Sequence, residues 1–340
     1  GSYLAELLLE KNYKVFGIQR RSSRFNTTRI DHIRNKLIMR YGDLTDGAGL
    51  SNYIHEIIRE NPNFKVFEIY NLAAQSHVAI SFEIPEYTSD VDGIGVMRIL
   101  EIIRTLPDKQ RNKVKFYQAG TSELYGKVLE TPQNEKTPFN PVSPYASAKL
   151  YAYHMVKIYR DGYGLFAVNG ILFNHESPRR GENFISRKTI IGIIKVIKGD
   201  QKCLYLGNLK SKRDWGHAKE FVNAQWKILQ QKKPDDFVIA TGKNYSVKDL
   251  VNLVLKKLDI RYLWKRDKNG FEYAIALNNI GKIKKSQIIV KQEKIYFRPN
   301  EVHNLVGDYR KAKKLLKWKP KINFDQLISE MIDSDLKKII

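Results

Sequence analysis

Helix-patterned and strand-patterned segments take turns along the first half of the chain, and no other feature restricts the fold as much. After Gly1, the residues Leu4, Leu7, Leu8 and Leu9 fall on a helix; "YKVFGIQ" then reads as a strand with Val15, Phe16 and Ile18 apolar. "KLIMRYGDL" is a second strand, and "LSNYIHEIIRENP" a helix stopped before Pro62. "FKVFEIYNLAA" is a third strand, "YTSDVDGIGVMRILEIIRTLP" a long helix ending at Pro107, and "NKVKFYQAGTS" a fourth strand. "SPYASAKLYAYHMVKIYRDGYG" is another long helix, followed by a fifth strand, "FAVNGILFN". Such alternation predicts an α/β chain built on a doubly wound parallel sheet. Ligands of such sheets lie beyond the carboxyl ends of the strands. "RRSS", "GDL", "NLAAQSH", "GTSELYG" and "NHESPRRG" all fall at those ends.

Beyond about residue 175 the pattern is less regular. Helices are expected near 186–199, 218–231, 246–258, 310–318 and 324–338, with "DFVIATG" as a further sheet strand. Residues 259–296 alternate like short strands or loops. A chain of 340 residues suits roughly two domains, and a smaller α/β domain interleaved with the end of the first is expected.

The longest apolar stretch, "TIIGIIKVIKG", is broken by Lys195 and Lys198, so no membrane span of about 18 apolar residues is expected. Glu6 and Glu10 interrupt the first apolar run, which excludes a signal peptide there. The single cysteine, Cys203, excludes an internal disulfide framework and fits a reducing, cytoplasmic setting. The net charge of +23 raises nucleic acid as a partner. No zinc-finger, basic-zipper or RNA-binding signature accompanies it, and the basic residues are scattered, so solvated lysines are expected and no nucleic acid. No metal site is expected.

Tyr145 and Lys149 in "SPYASAK" stand at i and i+4, on one face of a helix. A phenol beside an ammonium has a lowered pKa and can act as base or acid near neutrality. The spacing alone is common in amphipathic helices; here it opens a helix after a strand that ends in Thr121, Ser122 and Glu123. A hydroxyl can hold a sugar oxygen, and a carboxylate can take a carbon-bound proton beside a carbonyl. The competing reading for this run is a helix cap. Where a dinucleotide fold places its ribose reader, the chain has Arg20, Arg21 and Ser22. Arginine there suits the 2′-phosphate of NADP, whereas NAD calls for an acid.

These residues resemble the extended short-chain dehydrogenase/reductase family, and within it the GDP-mannose 4,6-dehydratases. The resemblance runs through "GSYLAE", "RRSSRFNT", "IYNLAAQSHVAISFEIPEYTSDVD", "GTSELYG", "SPYASAKLYAYH", "NGILFNHESPRRGENFISRK", "YLGNLKSKRDWGHAKEFV" and "FRPNEVHNLVGD", and is poor over 259–296. It implies a Rossmann-type NADP domain over residues 1–172 plus about 210–242, and a nucleotide-sugar domain over about 173–209 and 243–340. It implies Thr121, Glu123, Tyr145 and Lys149 as catalytic residues in the conversion of GDP-mannose to GDP-4-keto-6-deoxymannose and water. For the cofactor it implies Gly1, Arg20, Arg21, Ser22, Asp43, Leu44, Leu72, Ala73, Ala74, Gln75, Ser76, Tyr87, Tyr145, Lys149, His175 and Arg180. For the sugar nucleotide it implies Asn174, Glu176, Lys188, Leu206, Gly207, Arg213, Arg298 and Glu301; the competing reading of Arg213 is a structural ion pair with Asp214. It further implies a homodimer or homotetramer, with the Arg20–Thr27 stretch near a subunit interface.

Two departures stand out. Gly120 occupies a place where the family more often has serine, and is expected to loosen the turn before Thr121. Gly1 matches the third fingerprint glycine, the one that lets helix pack on strand; the first strand and two glycines would then precede it, and a chain starting at Gly1 would be unstable and bind NADP poorly. Another nucleotide-sugar dehydratase or epimerase, or a non-catalytic basic descendant, remains open at this point.

Overall fold

The structure is a computed structural model that describes residues 1–23 and 26–339. In chain order the elements are α1 (Ser2–Glu10), β1 (Val15–Gln19), β2 (Leu37–Tyr41), α2 (Gly47–Glu60), β3 (Phe67–Asn71), α3 (Pro85–Ser89), α4 (Gly95–Arg104), α5 (Asp108–Arg111), β4 (Val114–Ala119), α6 (Pro144–Tyr163) and β5 (Phe166–Leu172). There follow β6 (Asn174–Glu176), α7 (Ile185–Lys198), β7 (Leu204–Leu206), β8 (Lys212–Arg213), β9 (Trp215–His217), α8 (Ala218–Leu229) and β10 (Phe237–Ile239). The chain closes with β11 (Tyr245–Ser246), α9 (Val247–Lys257), β12 (Tyr262–Arg266), β13 (Glu272–Ala276), β14 (Ile288–Gln292), α10 (Arg310–Leu316) and α11 (Phe324–Ile339).

Two compact units result: residues 1–172, 218–239 and 308–319, and residues 173–217, 240–307 and 320–340. In the first, β10, β5, β4 and β3 form a parallel sheet in that order. Alternate strand residues face opposite sides. Phe116 and Ala167 join Leu50, Ile54 and Ile58 of α2, Ile99 and Ile103 of α4, and Val156 of α6 in one core. Tyr117 and Val168, the next residues along, join Phe221 and Ile228 of α8 and Leu316 of α10 in a second core. Helices therefore cover both faces, and each fully buried Ile or Leu stabilises by roughly 2 kcal/mol. The strands β1 and β2 pair parallel in a separate two-stranded sheet, where one continuous sheet was expected. Beside β1 the link to β3 runs through side chains: the Tyr13 hydroxyl donates to Glu68 over 3.2 Å.

The helix expected from Tyr87 to Pro107 is not uniform. A π-turn over Asp90–Ile94 interrupts it between α3 and α4. Helix α6 starts as its sequence dictates: Ser143 Oγ accepts from the Ala146 amide over 3.1 Å, and Pro144 takes the first turn. It stops at Gly164, which is left-handed at φ 69°.

In the second unit, α7, α9 and α11 pack with a four-stranded sheet ordered β12-β13-β14-β7. Residues 259–296 supply the antiparallel part of that sheet, and β14 joins β7 in parallel.

Candidate functional site

Four of the expected catalytic residues come together in the first unit. The strand β4 ends at Ala119, and the chain turns through Gly120 and Thr121 into a 3-10 turn over Ser122–Tyr125. Thr121 Oγ1 accepts from the Glu123 amide over 3.2 Å, so the threonine caps this turn. Gly120 does not loosen it: its amide donates to the Gly170 carbonyl over 2.9 Å, and a Cβ there would approach that oxygen to 3.0 Å. Gly126 ends the turn at φ 51°, with the Asn140 carbonyl 1.7 Å from where a Cβ would stand. Only glycine fits both conditions.

Lys149, one turn along α6 from Tyr145, is 4 % exposed. Its Nζ donates to the Ala119 carbonyl over 3.2 Å and stands 6.0 Å from the Tyr145 ring centroid. Burial lowers the lysine's pKa and the Asp92 carboxylate raises it. Tyr145, Thr121 and Glu123 are buried alike.

Arg20 leaves the carboxyl end of β1 and donates through Nη1 to the Tyr87 hydroxyl over 2.8 Å, so two expected cofactor residues meet. Arg21 lies over the Tyr41 ring at 5.7 Å, and Arg20, Arg21 and Ser22 are exposed. This donor set of two guanidiniums and a hydroxyl, with no acid in it, fits a phosphate monoester. Asp43 Oδ1 takes the Thr45 amide and hydroxyl, each at 3.0 Å, and closes its own turn after β2; Leu44 is buried in the core. Past β3, Leu72, Ala73, Ala74, Gln75 and Ser76 form a stretch without regular secondary structure. The Ala73 amide donates to Asn71 over 3.3 Å and the Gln75 amide to Asp92 over 2.7 Å. A Cβ on Gly1 would meet nothing within 4 Å among the described residues.

The remaining residues lie in the second unit. Arg213, Arg298 and Glu301 gather: Arg213 reaches Glu301 over 3.1 Å and the Val302 carbonyl over 2.7 Å, and Arg298 stands 3.8 Å from Glu301. The competing reading of Arg213, an ion pair with Asp214, gives way to this one. Asp214 accepts instead from Thr241 and Gly242, at 2.6 to 2.9 Å, and from Gly307 at 3.3 Å. Glu176 is 2 % exposed and is held by Ser186 at 2.5 Å and Arg180 at 3.1 Å. The Arg180 guanidinium covers the Phe184 ring at 3.6 Å. Asn174 and His175 lie on β6, and His175 Nδ1 faces the Phe173 carbonyl at 2.9 Å. Lys188 Nζ sits over the Tyr296 ring at 4.1 Å. Leu206 is a core residue, and at Gly207 a Cβ would come within 2.2 Å of the Tyr296 carbonyl, so backbone approaches backbone there. Of the Arg20–Thr27 stretch, Arg24 and Phe25 lie outside the described residues. No helix among the described residues is long and apolar enough to cross a membrane, and no cluster among them could hold a metal ion.

Sequence reasoning missed Asp92. It is a carboxylate with no exposed surface, between Val91 and Gly93 on the π-turn.

A family model described as GDP-mannose 4,6 dehydratase matches residues 1–331. The GDP-mannose 4,6-dehydratase of Vibrio cholerae is 50 % identical over 347 residues, covering 99 % of this chain and 91 % of that protein. The human GDP-mannose 4,6 dehydratase is 50 % identical over 346 residues, covering 99 % and 88 %. Among solved structures, a dTDP-glucose 4,6-dehydratase from Bacillus anthracis in complex with NAD superposes with a TM-score of 0.75 at 20 % identity, covering 99 % of this chain and 93 % of that one. A UDP-glucose 4-epimerase from Thermotoga maritima superposes with a TM-score of 0.77 at 20 % identity, covering 100 % and 96 %. These two likenesses bear on the fold.

Proposed function

The chain belongs to the GDP-mannose 4,6-dehydratase family, and from that premise we propose that Thr121, Glu123, Tyr145 and Lys149 carry its reaction. The enzyme is an NADP-dependent hydro-lyase that converts GDP-mannose to GDP-4-keto-6-deoxymannose and water. One observation supports the residue roles above all: Lys149, next to Tyr145 on α6, is anchored to the Ala119 carbonyl at the strand end that leads directly into Thr121 and Glu123.

Arg20, Arg21 and Ser22 would hold the 2′-phosphate of NADP, and residues 72–76 with Tyr87 would line its middle; the cofactor would supply hydride acceptance at C4 of the sugar and hydride donation at C6. Tyr145 takes the proton of the 4-hydroxyl. The Lys149 ammonium favours the phenolate that does so, and Thr121 holds the reacting oxygen. The resulting 4-ketone acidifies the hydrogen on C5. Glu123 removes that proton and delivers one to the departing C6 hydroxyl, which leaves as water. The reactants stay bound throughout, so elimination and reduction follow in one site, and the proton that Tyr145 took from the 4-hydroxyl goes to C5 as C6 is reduced. Arg213, Arg298 and Lys188 suit the diphosphate of the sugar nucleotide. Self-association as a dimer or tetramer and a cytoplasmic location complete the reading; the family resemblance supports the first and the lone, buried Cys203 the second.

Glu123→Gln keeps the shape and loses the base. We expect dehydration of GDP-mannose to fall by at least about a hundredfold with NADP binding retained, measured by product formation and cofactor titration. Normal dehydration by this variant overturns the role of Glu123.

A further inference from the structure

Gln292, the last residue of β14, belongs to the second unit and is 8 % exposed. A buried side-chain amide is costly unless its polar atoms are partnered, and both ends of this one bond to backbone. Oε1 accepts from the Glu272 amide at the start of β13 over 2.8 Å, and Nε2 donates to the Gly207 carbonyl just after β7 over 2.9 Å. The two partners fix which end is oxygen and which is nitrogen, since a backbone N–H only donates and a carbonyl only accepts. One side chain thus links the first residue of one neighbouring strand to the residue that follows the other.

Gly207 lies among the residues read above as meeting the sugar nucleotide. It packs backbone to backbone: a Cβ on it would come within 2.2 Å of the Tyr296 carbonyl oxygen and 3.3 Å of the Phe297 nitrogen. Lys188 Nζ sits 4.1 Å from the Tyr296 ring centroid, and Arg298 follows directly on Phe297. The turn that carries Tyr296 springs from the same place. The Glu293 amide donates to the Leu206 carbonyl over 2.9 Å, and the Glu293 carbonyl accepts from the Tyr296 amide over 3.1 Å. The paired register of β7 and β14 ends at Leu206 and Gln292. The Gln292 side chain carries the junction one residue further, to a glycine, whose backbone has the most freedom to turn.

We infer that Gln292 is a positioning residue for the sugar-nucleotide site: its side-chain amide fixes the Gly207 backbone against Tyr296, and so sets the platform that supports Lys188 and leads into Arg298. The inference rests on the reading that Lys188 and Arg298 meet the diphosphate. Gln292 itself touches no substrate, so its loss weakens docking of the nucleotide and leaves the chemistry to run once the substrate is bound.

Two variants separate the ends of the amide. Gln292→Met fills a similar volume and makes neither bond. Gln292→Glu still accepts from Glu272 but, as a carboxylate, offers Gly207 no proton. Calorimetric titration of the NADP-loaded full chain with GDP at pH 8 reads binding, and steady-state dehydration of GDP-mannose reads KM and kcat. For both variants we expect GDP affinity to fall and KM to rise at least about tenfold, with kcat per folded enzyme within about threefold of the parent. A merely structural Gln292 lowers thermal stability and leaves GDP affinity and KM in place, and that result overturns the inference. A Gln292→Glu protein that binds GDP as the parent does, beside a weakened Gln292→Met, places the effect at Glu272 and also overturns it. Lys188→Met is measured alongside. Weak GDP binding by that variant beside parent-like Gln292 variants overturns the inference and leaves the reading of Lys188 standing. Parent-like GDP binding by Lys188→Met overturns that reading, and the inference with it.

Discussion

A few side chains in this molecule do their work by the charge they are not allowed to carry. Burial and the neighbouring Arg180 guanidinium pull the His175 imidazole down to about 4, against the Phe173 carbonyl, which draws it up. In the unfolded chain the group titrates near 6.5. Its contribution is therefore present above pH 6.5, and is lost as pH falls through 4, because the unfolded state then binds the extra proton. The Asp92 and Asp214 carboxyls, both pushed up to about 6 by burial, act in the opposite sense. Comparing the parent with His175→Asn cancels them. We expect the stability difference to shift in favour of the variant by on the order of 2 kcal/mol between pH 6.5 and pH 4. Thermal melts of both proteins across that range check it; a constant difference rejects it.

At the scale of elements, one ion pair ties three of them. Arg160 near the end of α6 grips Asp236 through two nitrogens at 2.8 and 3.1 Å. Asp236, just before β10, also takes the backbone amide and the side chain of Asn169 in β5, at 2.8 and 3.2 Å. Removing the acid takes from Arg160 its two-nitrogen partner, leaving it Asp161 and the Ala167 carbonyl, and takes an acceptor from the buried backbone amide of Asn169. We expect Asp236→Ala to cost about 3–5 kcal/mol of stability, read from the midpoint of urea unfolding; a loss below about 1 kcal/mol contradicts this. None of these contacts was legible in the sequence, because 76 residues separate Arg160 from Asp236. The elements they join were legible. Continuous apolar runs such as "KVKFY" mark strands covered on both faces, and Ser143-Pro144 and Gly164 bracket α6. The π-turn was not legible, since Asp90–Ile94 carries the same apolar spacing as the helices around it. Residues 259–296 showed strand character, but their sheet depends on pairing with Leu204–Leu206, far away in the chain. The site was legible as motifs, Tyr145 with Lys149 and Thr121 with Glu123.

Over the whole molecule, the two units are interleaved in the chain. The first takes α10 and Trp318 from beyond residue 307; the second takes α11 from beyond residue 319. Ala312, Leu316 and Trp318 are buried in the core shared with α8 and β10. Phe324, Leu327, Ile328, Met331 and Ile332 are buried in the core shared with α7 and α9. A chain stopped after Gly307 loses apolar cover from both cores at once, about eight buried side chains at roughly 2 kcal/mol each, more than a marginally stable protein retains. We expect that truncation to leave no soluble folded protein, assayed by the soluble fraction and by near-ultraviolet circular dichroism; a native-like spectrum contradicts it. The same interleaving sets the order of events on the ribosome. Neither core can be completed while residues beyond 307 are still unmade, so the nascent chain holds its sheets and helices with apolar faces uncovered until those residues have emerged, and a chaperone has most to do before then.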